Sequence, residues 1–313
     1  IFRETPTLTD RLGRNATIYH EVAHQWFGDL VTMRWFDDLW LKEGFSTYMA
    51  ARMQDELNPG SGAWKTFYLQ NKPQAYRVDA TTGTTPVWQA LENLNQAKSN
   101  YGPIVYNKAP AIIKQLNFLV GDENFRVGLQ RLLRRHQFGN MTWRDLLTEM
   151  EEVSGTPLQE FGEQYILRGG APVVQTQLST RGGVIEELRL VQHPSVDLDD
   201  SATGWWPGRV QLRLGYEDRE SVTLTVPFTG ETTIVQEARG LPAPAYVFPN
   251  DGDYGYGIFL LDEQSAADLA ERVGRLEAPL QRALVWGALW DLVRGGRMGP
   301  VEFVEIALRE LPG

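Results

Sequence analysis

Two histidines one helical turn apart carry the chain's most specific chemistry. They lie in His20-Glu21-Val22-Ala23-His24, and Glu43 follows further on. The chain has only 4 histidines, so this short window holds half of them. On a helix, positions i and i+4 stand one above the other with Cβ atoms about 5–6 Å apart. Both imidazoles can then reach one Zn²⁺ at ~2.0–2.1 Å. Glu21 points about 100° around the helix from His20. That places it beside such an ion rather than on it, where a general base for metal-activated water belongs. The chemistry of this pattern is hydrolysis. A catalytic zinc takes three protein ligands and keeps one position open. Glu43 is the candidate third ligand, although a surface glutamate would fit the spacing equally well.

With 0 cysteines in the chain, no thiolate site or disulfide can be built, so a metal must be held by His, Asp or Glu. The lack of disulfides suits a reducing cytosol, and a cytoplasmic location is the expectation. A net charge of −10 argues against nucleic acid or an anionic membrane surface as partner. No apolar run is long enough to span a bilayer.

The positioning elements follow from periodicity. Asn15 is a good N-cap for a first helix running to Trp26-Phe27, with Gly28 just past its end, and Ile18, Val22 and Trp26 as its buried stripe. Leu30 to Phe36 reads as a connection. Asp37 or Asp38 caps a second helix carrying Leu39, Leu41, Phe45, Tyr48, Met49 and Met53. Further helices are predicted at 61–71, 85–96, 105–119, 122–135, 142–153 and 157–167, with Thr142 as one cap. From Ala171 the pattern changes to short alternating runs: Val173–Leu178, Val184–Val191 after a Gly182-Gly183 turn, Val210–Leu214, Val222–Val226, Ala245–Phe248 and Gly257–Leu261. That spacing predicts a β-sandwich. Helices return as 266–275, capped by Ser265, then 280–293 and 301–311.

Residues His20 to Gly28, with Leu39-Trp40-Leu41-Lys42-Glu43-Gly44-Phe45, resemble the zinc aminopeptidases of the aminopeptidase N type. These gluzincins include the bifunctional leukotriene hydrolases. In that family eighteen residues separate the second His from the ligand Glu, and residues 25–42 here number eighteen. The resemblance implies one Zn²⁺ per chain on His20, His24 and Glu43, with Glu21 as base. It also implies a tyrosine that stabilises the intermediate, in a Tyr-x-Lys-Gly segment. Tyr106-Asn107-Lys108-Ala109 matches that segment, with Ala109 where Gly is usual. Tyr106 is thus the candidate, against the alternative of a core tyrosine at a helix start, and Tyr101 is a second candidate for the same wall.

The implied architecture is α+β and multidomain. It comprises a mainly helical thermolysin-like catalytic domain over 1–170, a β-sandwich over 171–262, and the start of a helical domain over 263–313. The family's amine-binding Gly-x-Met-Glu-Asn segment is not found. Ile1-Phe2-Arg3-Glu4 resembles the family's residues just beyond that segment, so the expectation is a chain opening immediately after it. The implied partners are peptides with a free N-terminus, and an N-terminal domain of its own as a separate chain. Two other readings use the same residues: a zinc-binding piece without turnover, and an interaction scaffold. Among weaker features, Asp29 could orient an imidazole, His136 suits a helix C-terminus, His193 has no nearby partner in sequence, and Asn250-Asp251-Gly252-Asp253 reads as a tight turn.

Overall fold

A computed structural model describes residues 5–198 and 204–311. Ile1 to Glu4, on which the expected link to the Gly-x-Met-Glu-Asn motif rests, lie outside the described residues. The chain divides into two units, Ile1–Gly169 and Gly170–Gly313. Helices and sheets together make an α+β fold. Among the described residues no helix is long and apolar enough to cross a membrane.

The first unit contains helices α1 (Leu8–Ala23), α2 (Trp40–Leu57), α3 (Ala63–Thr66), α4 (Lys72–Asp79), α5 (Leu94–Ser99), α6 (Ala109–Val120), α7 (Asp122–His136), α8 (Trp143–Ser154) and α9 (Gln159–Phe161). Three π-helical turns, Phe67–Asn71, Ile104–Lys108 and Gly162–Ile166, join or extend them. Strands β1 (Val31–Met33) and β2 (Gly139–Met141) pair in parallel. The stretch read as a connection is therefore partly a strand. Its partner, Gly139-Asn140-Met141, lies far along the chain and is too short and too poor in strand-forming residues to give a local signal.

Helix α1 begins well before Asn15. Thr7 and Asp10 form a reciprocal capping box, with Asp10 N–H donating to Thr7 Oγ1 at 3.2 Å and Thr7 N–H to Asp10 Oδ2 at 2.9 Å. The helix ends at Ala23, where tighter backbone bonds take over (Trp26 N to Ala23 O, 3.0 Å), so Trp26 and Phe27 are not helical. The expected buried stripe is exposed: Ile18 and Val22 are 49% accessible and Trp26 48%. Periodicity located a face, but packing against α2 selected another one, carrying His20, Ala23 and His24.

Asp38 does not cap α2, whose N-cap is Leu39 with no side-chain bond. It accepts instead from the Trp143 N–H at 3.3 Å, at the start of α8. Thr142 caps α8 with Asp145 in a second capping box. Leu39, Leu41, Phe45 and Tyr48 are fully buried, as their period implies, whereas Met49 and Met53 are half-buried. Phe45 stacks on Phe27 at 4.6 Å and 10°. The helix expected at 85–96 is absent. Pro86 interrupts the pattern, and Asn93 instead caps the short α5, accepting from Asn95 N at 3.0 Å and Gln96 N at 3.1 Å.

In the second unit one sheet has the order β7-β4-β3-β9 and another β6-β5-β8. The strands are β3 (Pro172–Arg181), β4 (Val184–Pro194), β5 (Gly208–Gly215), β6 (Val222–Phe228), β7 (Thr232–Ile234), β8 (Tyr246–Phe248) and β9 (Ile258–Leu260). Strand β7 escaped the sequence reading because its three residues are half-buried or exposed. Val174, Leu188 and Leu190 of the first sheet share one apolar cluster with Val210, Leu212 and Val226 of the second. Gly182 (φ 60°) and Gly183 (φ 79°) supply the two left-handed residues of the β3–β4 hairpin. Helices α10 (Glu263–Arg272), α11 (Pro279–Arg294) and α12 (Pro300–Glu310) follow. The N-cap of α10 is Asp262, which accepts from Ser265 N at 3.0 Å, not Ser265 itself. Asn250 and Asp253 adopt positive φ in a tight turn, and Asp251 pairs with Arg213 at 2.7 Å.

Burial of Asp38, 2% exposed, gives a stability prediction. Burial first, then the neighbouring Asp37 charge, raise its carboxyl from 3.8 to about 7, and the Trp143 N–H only partly opposes them. The folded protein thus holds this proton where the unfolded chain has lost it. Stability contributed by Asp38 falls as pH rises from about 4 to about 7, by up to ~1.4 kcal/mol per pH unit. Asp38→Asn keeps an acceptor for the Trp143 N–H. Unfolding midpoints measured against pH should show the variant losing less stability than the wild type across that window.

Candidate metal centre

His20 and His24 lie at the end of α1, and Glu43 lies in the first turn of α2. The two Nε2 atoms are 3.1 Å apart, and Glu43 Oε2 is 3.4 Å from each. Two donor atoms about 2.0–2.1 Å from a tetrahedral Zn²⁺ stand roughly 3.3–3.4 Å apart. The triangle therefore has the size of three tetrahedral apices. Among the described residues, these three form the one cluster of His, Asp and Glu close enough to hold an ion.

Hydrogen bonds on the far ring nitrogens support the same reading. His24 Nδ1 is 3.0 Å from the Phe27 carbonyl and 3.1 Å from Ser46 Oγ. A carbonyl only accepts, so His24 Nδ1 carries a proton, and Nε2 is the ring nitrogen that faces the triangle. His20 Nδ1 is 3.3 Å from Thr47 Oγ1. Asp29 is not among these imidazole partners: it is exposed, on the wall of the adjoining cavity. Ser46 and Thr47 were missed in the sequence. Their signal was their offset of three and four residues from Glu43, which puts them on its helical face.

Glu43 is 5% exposed. Burial works against its charge, but the His20 hydrogen bond and the Lys42 hydrogen bond and charge outweigh it, holding the carboxyl down at about 2. Lys42 Nζ takes the other oxygen, Oε1, at 3.1 Å. The stem of Lys42 lies over Gly28, whose φ of 135° suits a residue without Cβ.

An open cavity of about 730 Å³ adjoins the triangle, and Glu21, Lys42 and Tyr106 line it with the three candidate ligands. Glu21 is exposed on its wall, outside the triangle. Tyr106 comes from the π turn Ile104–Lys108, its ring 6.4 Å from that of His20 and inclined by 28°. Burial, then the charge of Glu43 and a hydrogen bond to it, raise the Tyr106 hydroxyl well above its ordinary value, so it remains a proton donor. Tyr101 stands beside Tyr106 at 6.4 Å. Gly44 lets this segment approach: a Cβ there would lie 2.9 Å from the Ala109 Cβ. His136 ends α7 with Nδ1 on the Asn140 carbonyl at 2.9 Å, and His193 contacts the Pro194 carbonyl at 2.9 Å, so neither joins the cluster.

Removing an outer hydrogen-bond partner of a ligating histidine typically weakens metal affinity 10–100-fold. Ser46→Ala and Thr47→Val should each weaken zinc binding by about that range in a chelator-competition titration. Glu43→Ala should abolish stoichiometric zinc in an elemental assay while the helical circular dichroism is kept.

Residues 3–165 match the model of the peptidase family M1 domain. The chain is 35% identical to aminopeptidase N of Streptomyces lividans over 320 residues, covering 98% of this chain and 37% of that protein. It is 35% identical to the probable aminopeptidase 2 of Sulfurisphaera tokodaii, over 57% of this chain and 24% of that protein. For the leucyl aminopeptidase of Saccharolobus solfataricus the identity is 32%, over 60% of this chain and 25% of the relative. The chain thus spans little more than a third of the first of these relatives and about a quarter of the others. On the match of residues 3–165, more than half of its length, the chain belongs to peptidase family M1.

Proposed function

We propose that this chain carries the zinc centre of an aminopeptidase that removes the N-terminal residue of peptides. The observation that carries the proposal is the ligand triangle of His20, His24 and Glu43, at 3.1–3.4 Å, opening onto a cavity also lined by Glu21 and Tyr106. Membership of family M1 and the aminopeptidase names of the relatives favour this substrate class. The finer architecture is part of the proposal. It assigns 1–170 to a thermolysin-like catalytic body, 171–262 to a β-sandwich and 263–313 to the opening of a helical domain, and the apolar cluster shared by the two sheets supports the sandwich.

His20, His24 and Glu43 would hold one Zn²⁺ and leave a position facing the cavity. When bound, zinc supplies a Lewis acid that lowers the pKa of a water toward ~7. Glu21, on the cavity wall, accepts the proton of the attacking water and returns it to the departing amine. The Tyr106 hydroxyl, protonated at any working pH, donates to the carbonyl oxygen as it gains negative charge. Buried Glu43 stays ionised because Lys42 and the imidazoles face it.

Hydrolysis of leucyl and alanyl p-nitroanilide by the full-length protein tests the proposal. Turnover should be lost with 1,10-phenanthroline and restored by Zn²⁺. Glu21→Gln should lower kcat by ~10²–10⁴-fold with zinc content unchanged. Zinc binding without any chelator-sensitive turnover would overturn the proposal and leave a metal-binding piece.

A further inference from the structure

The π turn that carries Tyr106 is fastened on both sides of its last residues. Asn107 Oδ1 accepts from Asn71 Nδ2 at 3.0 Å, and Lys108 Nζ meets Asp79 Oδ2 at 2.8 Å. Lys108 and Asp79 are each 1% exposed. Asp79 ends α4 and also accepts from the Thr84 hydroxyl. Asn71 ends a second π turn, Phe67–Asn71, so the frame runs from that turn through α4. The next residue, Ala109, is seated against Gly44, the neighbour of Glu43. Three consecutive residues after Tyr106 are therefore each fixed to a different point.

Stability alone does not account for the ion pair. A buried pair gains little net free energy, and well-packed apolar replacements are often neutral or stabilising. Orientation does account for it. A π turn holds an extra residue against the α-helical register, and such turns are found most often at functional sites. A donor to a developing oxyanion must lie 2.7–3.1 Å from it, and a misplacement of about 1 Å can cost 10²-fold in rate.

We propose that the Asp79–Lys108 ion pair and the Asn71–Asn107 hydrogen bond aim the Tyr106 hydroxyl at the centre, making Lys108 and Asn107 positioning residues. This rests on the reading of Tyr106 as the oxyanion donor. The test is a double-mutant cycle in the full-length protein. Tyr106→Phe should lower kcat by about 10²–10³-fold. The paired replacement Asp79→Leu with Lys108→Met removes both charges together. It should lower kcat by about tenfold, with KM and bound zinc unchanged, as expected of a displaced donor. In the Tyr106→Phe background the same pair should have almost no further effect, because no hydroxyl remains to be aimed. Equal losses with and without the hydroxyl, or wild-type kcat in the paired variant, would overturn the inference while leaving the donor role standing. Wild-type turnover by Tyr106→Phe would overturn the donor role itself and the inference with it. Asn107→Ala removes only the milder tie and should follow the same non-additive pattern with a smaller loss. It decides the matter if the paired variant does not fold.

Discussion

Glu43 sets the condition that the rest of the first unit satisfies: a carboxylate only 5% exposed, on a helix whose Leu41, Phe45 and Tyr48 are buried as well. An unpaired charge in such surroundings costs several kcal/mol. Its two oxygens are divided between two kinds of partner, Oε1 to the Lys42 ammonium and Oε2 to the imidazoles of α1. This fixes the register of α1 on α2. A slip of one turn, about 5.4 Å, would carry both histidines away and leave Oε2 unpaired. The Phe27 carbonyl sharpens the condition further. By engaging His24 Nδ1, it turns Nε2 toward a carboxylate oxygen 3.4 Å away. The carboxylate oxygen and both ring Nε2 atoms thus converge on one point, the place a positive ion would occupy.

What the sequence made legible was whatever depends on local spacing. The His20–His24 offset, the position of Glu43, the Thr142–Asp145 cap and the Gly182-Gly183 hairpin are short-range patterns, and each stands in the structure with its own hydrogen bonds or φ angles. The failures share a cause. Ile18, Val22 and Trp26 form an apolar row, but which row of a helix is covered depends on its neighbours, and α1 turns its ligand side to α2. Asp38 has the right type for a cap of α2, yet it serves a helix that begins a hundred residues later. The pairing of β1 with β2 is likewise set by a distant partner.

The candidate site shows the same division. Its two candidate histidine ligands were readable because metal geometry imposes spacing on one helix, whereas Glu43, on another helix, entered through the family resemblance. Its outer partners were less so, because an imidazole Nδ1 accepts help from any oxygen within reach. A carboxylate such as Asp29 is a common choice, but the tight turn after Ala23 brings the Phe27 carbonyl back to His24 instead. Where a backbone atom shares the hold on the ring, a sequence pattern has less to record.

Ala109 departs from the glycine usual in the segment that Tyr106-Asn107-Lys108-Ala109 resembles, and the contact with α2 explains why the departure is tolerated. Helices approach most closely where at least one side lacks a Cβ. Here that side is Gly44, and a Cβ at Gly44 would lie only 2.9 Å from the Ala109 methyl and 3.5 Å from the Val105 carbonyl. The methyl of Ala109 occupies space that Gly44 leaves open. Because Gly44 follows Glu43 and Ala109 follows the Tyr106 turn, this one contact sets the separation between a candidate ligand and the candidate donor. Gly44 thus leaves room for the alanine methyl beside the Tyr106 turn.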